Sequence, residues 1–66
     1  MITLIARRLD EQGTRFEFKI YPPHGDTVTA NEKSAVTDAL RKLGVTTAER
    51  LVDHVCEWGI VEIPEH

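Results

Sequence analysis

The sequence predicts a small α+β domain in which two helices pack on one face of a three-stranded, mostly antiparallel sheet. Residues 14–21 alternate between apolar and polar side chains, which is typical of a strand with one buried and one solvated face. Two later segments carry apolar residues at helical spacing, and a glycine follows each of them. The predicted order is strand, strand, helix, helix, strand, and residues 1–66 form a single domain.

The first two strands are predicted over residues 2–9 and 14–21. The polar run 10–13 ends in glycine and fits a four-residue hairpin loop. Two prolines at 22–23 end the second strand, because proline has no backbone donor for a sheet ladder. In the first strand, Ile2, Leu4 and Ala6 share one face. In the second strand, the face predicted to point inward carries Phe16, Phe18 and Ile20.

Two helices are predicted next, and each begins with a Thr-x-x-Glu capping box, at residues 29–32 and 46–49. Glycines end the helices, and residues 60–63 form the third strand. The many β-branched residues of 51–63 leave one long strand as an alternative to the second helix and third strand. The helix residues predicted to complete the core are Leu40, Leu43, Leu51, Val55 and Trp58.

Size and composition restrict the classes of function. A chain of 66 residues holds one small core and leaves little room for a deep substrate pocket. Its single cysteine forms no internal disulfide, and its net charge of −3 argues against non-specific nucleic-acid binding. No apolar run approaches the roughly 18 residues of a membrane helix. We therefore expect a soluble, cytoplasmic monomer without a membrane partner or a small-molecule substrate.

The negative charge is concentrated in the last third of the chain. Residues 44–66 hold one cation and five acids, so they sum to 1 − 5 = −4. Residues 1–43 hold seven cations and six acids and sum to 7 − 6 = +1. The five acidic side chains are the predicted partner-binding residues: Glu49, Asp53, Glu57, Glu62 and Glu65.

Glu49, Asp53 and Glu57 recur at every fourth residue, so they form one stripe on a helix. Glu49 is expected to close the second capping box, and Asp53 to pair with Arg50. Glu57 has no such structural role, because an anion in the last turn opposes the helix dipole. The stripe is either a solvated helix face or a docking surface for a basic partner. A rise of roughly 6 Å per four residues places the carboxylates near the spacing of alternate phosphates along one DNA strand.

No catalytic, cofactor or metal site is predicted. His54 and Cys56 are two residues apart and point about 200° apart on a helix, so they cannot share a metal ion without a third element. Cys56 has no neighbouring helix N-terminus or cation in the sequence that would activate its thiol. We therefore expect a protein that is not an enzyme.

Residues 34–63 resemble part of a winged helix-turn-helix: a helix ending in Leu-Gly-Val, a short threonine turn, a second helix, and a strand after Trp-Gly. The resemblance implies a DNA-binding protein or a small transcriptional regulator, which is the alternative function. Its recognition helix would present Asp53 and Glu57, whereas such helices read DNA with Arg, Lys, Asn or Gln.

In size, acidity and lack of catalytic residues, the chain resembles the small phage-encoded anti-CRISPR proteins, some of which mimic DNA. The resemblance implies a non-catalytic inhibitor that occupies a basic, nucleic-acid-binding surface of a partner. The acidic residues above are the ones expected to contact that surface.

Overall fold

The computed structural model describes residues 1–64, and it has the predicted α+β architecture with two helices and an antiparallel sheet. The sheet has four strands, so the prediction of three strands and of the order β-β-α-α-β is wrong. In chain order the elements are β1 (Ile2–Arg8), β2 (Phe16–Tyr21), β3 (Val28–Ala30), α1 (Lys33–Lys42), α2 (Ala48–Trp58) and β4 (Ile60–Ile63).

The additional strand, β3, occupies the segment that was predicted to open the first helix. Val28 and Thr29 are β-branched and favour extended backbone. They pair with β2, where Val28 lies opposite Ile20 and Thr29 opposite Lys19. Pairing in the sheet gives this segment tertiary hydrogen bonds, which outweigh the local capping pattern.

All four strands pair antiparallel in the order β3-β2-β1-β4. Helix α1 contacts β2 and β3, and α2 contacts β1 and β4, so the two helices lie side by side over the sheet. The opposite face of the sheet carries alternating residues such as Arg7, Glu17 and Lys19. Within residues 1–64, β3 and β4 are therefore the edge strands.

The core lies between the sheet and the helices. The predicted alternation of β1 and β2 is confirmed, because Ile2, Leu4, Phe18 and Ile20 are buried and their alternate neighbours are more exposed. Ala6 and Phe16 are half-buried against the same cluster. The helices and β4 complete the core with Val36, Leu40, Val45, Ala48, Val52, Val55 and Ile63.

Neither predicted capping box forms. Helix α1 begins after Glu32, and α2 begins after Thr47, with no side-chain capping bond at either position. The box geometry requires the glutamate three residues after the cap. With Thr47 as the cap, Glu49 is only two residues away and cannot close the box. Both predicted glycine stops are confirmed, since Gly44 and Gly59 follow the helices with positive φ.

The hairpin between β1 and β2 is closed by the side chain of Asp10. Its carboxylate accepts hydrogen bonds from the Thr14 N–H at 3.0 Å and the Thr14 hydroxyl at 2.7 Å. These bonds, chiefly the hydroxyl bond, lower the pKa of the Asp10 carboxyl. The resulting stabilisation is fully present above the pKa that the Asp10 carboxyl has in the unfolded chain. It is lost as the pH falls through the lower pKa of the same carboxyl in the folded protein.

Candidate acidic binding surface

Helix α2 presents an acidic outer face because its buried apolar residues face the sheet. Ala48, Val52 and Val55 are buried, as the 3.6-residue period of a core-facing helix requires. The predicted stripe residues Glu49, Asp53 and Glu57 are all exposed on the side of α2 that faces away from the core. A helix was predicted over residues 46–58, and the structure forms it over Ala48–Trp58, two residues later, with the carboxylates aligned on it.

Two of the three stripe carboxylates pair with cations of α1. An oxygen of Glu49 lies 2.7 Å from the Arg41 guanidinium, and Asp53 lies 3.6 Å from the Lys33 ammonium. The predicted pair of Asp53 with Arg50 is therefore wrong, because α1 runs alongside α2 and supplies a cation from the neighbouring helix. All four side chains are more than half exposed, and such pairs contribute only about 0–1 kcal/mol. The carboxylates remain accessible to a competing cation.

Glu57 and Glu62 are the uncompensated acids of this region. Both are exposed, and neither forms an ion pair with any residue in the range 1–64. Glu57 lies in the last turn of α2, which contains no basic residue, so the helix dipole disfavours it. Glu62 lies on β4 opposite Thr3. Glu65, the fifth predicted residue, lies outside the described residues.

Trp58 is the functional candidate that the sequence reasoning misplaced. It was predicted in the core, but 62% of its surface is exposed, so that prediction is wrong. Its ring contacts the imidazole of His54 with the ring centroids 4.6 Å apart. The spacing of Trp58 from Val55 suggested a shared face. The buried face is centred nearer Val52, however, and Trp58 falls at its rim on the last residue of the helix.

Trp58 and His54 lie on the flank of α2 that faces away from α1. Asp53 marks the opposite flank, because it pairs with Lys33 of α1. At about 100° per residue, His54 lies about 100° and Trp58 about 140° around the helix from Asp53. Since α2 packs over β1 and β4, this outer flank lies on the side of the edge strand β4. Trp58 is thus an exposed aromatic ring on the outer flank of α2, next to His54 and directly after Glu57 in the chain.

We define this acidic surface as the exposed α2 residues Glu49, Asp53, Glu57 and Trp58. Glu62 lies on the other side of the sheet, because its neighbours Val61 and Ile63 pair with the core-facing residues Leu4 and Ile2. The nearby Cys56 is a half-buried free thiol, and burial raises the pKa of the Cys56 thiol, which opposes nucleophilic use. Among residues 1–64, no group of His, Cys, Asp and Glu side chains is arranged to hold a metal ion. The arrangement offers exposed carboxylates and one large apolar ring, which are suited to contact with another macromolecule.

The chain matches no protein-family model, no curated protein and no solved structure. Neither helix in the described part of the chain is long and apolar enough to cross a lipid bilayer.

Proposed function

We propose that the protein is a non-catalytic binding protein whose acidic surface occupies the basic groove of a nucleic-acid-binding partner and so inhibits it. The observation that carries this proposal is the exposure of Trp58 at the end of the helix that also exposes the carboxylates of Asp53 and Glu57. Folding alone gives no reason to hold a large aromatic ring in solvent on the last turn of an amphipathic helix. Tryptophan is the residue type most enriched at the energetic centres of protein interfaces.

The exposed carboxylates of α2 and β4 suit a cationic partner. Glu57 and Glu62 form no ion pairs within residues 1–64, and the pairs of Glu49 and Asp53 are exposed and exchangeable. A basic groove that binds nucleic acid presents Lys and Arg at phosphate spacing. Carboxylates on successive turns of α2 would meet these cations at similar intervals. Charge of this kind contributes mainly to the association rate and to the choice of partner.

The resemblance to anti-CRISPR proteins supplies one concrete class of partner for this proposal, a CRISPR effector complex with its basic nucleic-acid channel. The winged-helix alternative would require a positively charged α2, because a recognition helix that binds DNA is cationic. The exposed acids of α2 favour the inhibitor. A gel shift with the chain alone is expected to show no retarded duplex DNA at physiological salt.

Replacing Trp58 with alanine is expected to weaken partner binding about thirtyfold, a loss of about 2 kcal/mol that is typical of an interface centre. The measurement is the dissociation constant for the basic protein that the immobilised chain retains from a cell lysate. Because Trp58 is mostly exposed, Trp58→Ala should change the free energy of unfolding by less than about 1 kcal/mol.

Tyr21→Ala is the matched control for Trp58→Ala. Tyr21 is also an exposed aromatic residue, with 40% of its surface accessible, but it lies on β2, two strands away from β4. Tyr21→Ala should retain the wild-type affinity. If both variants bind as the wild type does, or if both lose the same affinity, Trp58 is not the centre of the interface and the proposal is wrong.

A further inference from the structure

The free edge of β4 exposes backbone groups next to the acidic surface. Within residues 1–64, β4 is the last strand of the sheet and pairs only with β1. The Ala6 N–H donates to the Gly59 carbonyl at 2.9 Å, and hydrogen-bonded pairs recur at every second residue of an antiparallel ladder. The ladder register therefore directs the N–H and C=O groups of Ile60 and Glu62 away from β1, toward the free edge.

This edge has few of the features that usually protect a sheet edge from additional strands. Native edges are commonly guarded by lysines, prolines, bulges or very short strands. The β3 edge is three residues long, whereas β4 has four residues, without lysine or an internal proline. Ile60 is 51% exposed, so the edge offers apolar area as well as hydrogen-bonding groups. Glu62 is the one charged side chain of the strand.

The charges around the edge select its occupant. Glu62 is the charged residue of β4, and Glu57 precedes the strand by three residues. The cations on the same open face, Arg7 and Lys19, lie on the inner strands β1 and β2, and Arg7 pairs with Glu17. A second copy of the chain would bring this acidic region against itself. Antiparallel pairing centred on Glu62 would also place two like charges directly opposite each other, which is destabilising. A strand with basic side chains would instead place cations beside Glu62.

We propose that the partner adds an extended segment of alternating basic and apolar residues to the free edge of β4 as a fifth strand. This inference rests on the proposed function in one respect: the partner is taken to be positively charged. The segment's backbone would bond to Ile60 and Glu62, and its basic side chains would lie beside Glu62 on the open face of the sheet. Its apolar side chains would point to the helix side, where Trp58 borders the edge.

Hydrogen exchange on the isotope-labelled wild-type chain tests strand addition directly. The probe is the acetylated and amidated peptide Lys-Val-Lys-Val-Lys-Val, added until the chain is saturated. The amides of Ile60 and Glu62 should exchange at least about tenfold more slowly with the peptide bound, because they gain hydrogen-bond partners. The Val61 and Ile63 amides already bond to β1 and should change much less. If Ile60 and Glu62 exchange at the same rate with peptide bound, strand addition is excluded.

Glu62→Pro and Glu62→Gln separate the backbone contact from the charge. Both remove the carboxylate, but only proline removes the outward N–H, and an edge strand tolerates proline at such a position. Glu62→Pro should bind the peptide at least about tenfold more weakly than Glu62→Gln, with circular dichroism confirming that both variants are folded. Equal affinities would overturn the inference and leave the proposed function standing.

Two further results complete the test. If the Asp53→Lys, Glu57→Lys variant binds the peptide as tightly as the wild type while Ile60 and Glu62 stay protected, the acidic stripe does not contribute. The proposed function then fails, and strand addition stands. Sedimentation of the chain without peptide should show a monomer. A dimer that Glu62→Pro abolishes would assign the edge to a second copy and overturn the inference.

Discussion

Leu40→Ala is expected to destabilise the fold by about 3–5 kcal/mol, the upper range for truncating a buried leucine. Leu40 has no exposed surface and lies in the core between α1 and the sheet. The substitution removes its apolar contacts and leaves a cavity that a small core closes only in part. A domain of this length has roughly 3–10 kcal/mol of total stability. Urea unfolding should therefore show a midpoint lowered by at least about a third, and a largely unfolded chain in buffer where the wild-type stability is below about 5 kcal/mol.

Leu43→Ala is the matched control, because it deletes the same atoms three residues further along the chain. Leu43 is 42% exposed at the C-terminal cap of α1, although its spacing predicted a core position. We expect a loss below about 1 kcal/mol, as for an exposed position. Equal losses for Leu40→Ala and Leu43→Ala would show that the core is not centred where the structure places it.

Reversing both Asp53 and Glu57 to lysine is expected to weaken partner binding at least about a hundredfold, a loss of about 3 kcal/mol. Two attractive contacts with the basic groove would become repulsive ones. The fold should survive, because both side chains are exposed and the Lys33–Asp53 pair contributes only about 0–1 kcal/mol. The measurement is the dissociation constant for the captured partner, with urea unfolding of the variant as the folding check.

Glu11→Lys with Asp26→Lys controls for net charge. Glu11 and Asp26 are exposed loop residues outside the acidic surface. Each double variant changes the charge by +4, from −3 to +1, so both have the same long-range field. The dissociation constant of the loop variant should be within a few-fold of the wild-type value. This small change in affinity should shrink with added salt, because surface charges are screened over about 8 Å at physiological ionic strength. If the two double variants lost the same affinity for the partner, net charge alone would explain the binding.

Strand alternation and helix period were enough to predict the α+β class, both helices and three strands. Phe18 and Ile20 alternate with polar residues, and this alternation is expected in any fold that buries one face of the sheet and leaves the other in solvent. The fourth strand could not be predicted in the same way. Val28 and Thr29 are too few to show a period, and their extended conformation depends on the free edge of β2. The first capping box failed for the same reason, because strand pairing displaced the start of α1. The second failed because α2 begins after Thr47, one residue later than predicted.

The exposure of the acidic stripe was predictable, because period alone places Glu49, Asp53 and Glu57 on one side of α2. Their ion-pair partners were not, since Lys33 and Arg41 are far away in sequence and depend on how α1 lies against α2. The position of Trp58 required the same tertiary information. Spacing from Val55 could not distinguish a core residue from one at the rim of the helix.

Competition with nucleic acid is the most direct test of the claim that the acidic surface occupies a nucleic-acid-binding groove. A labelled duplex bound to the captured partner is titrated with the chain, and fluorescence anisotropy reports the bound DNA. We expect complete release of the duplex at one chain per partner, with no complex that contains both. A ternary complex in which the partner keeps its DNA at unchanged affinity would contradict the claim.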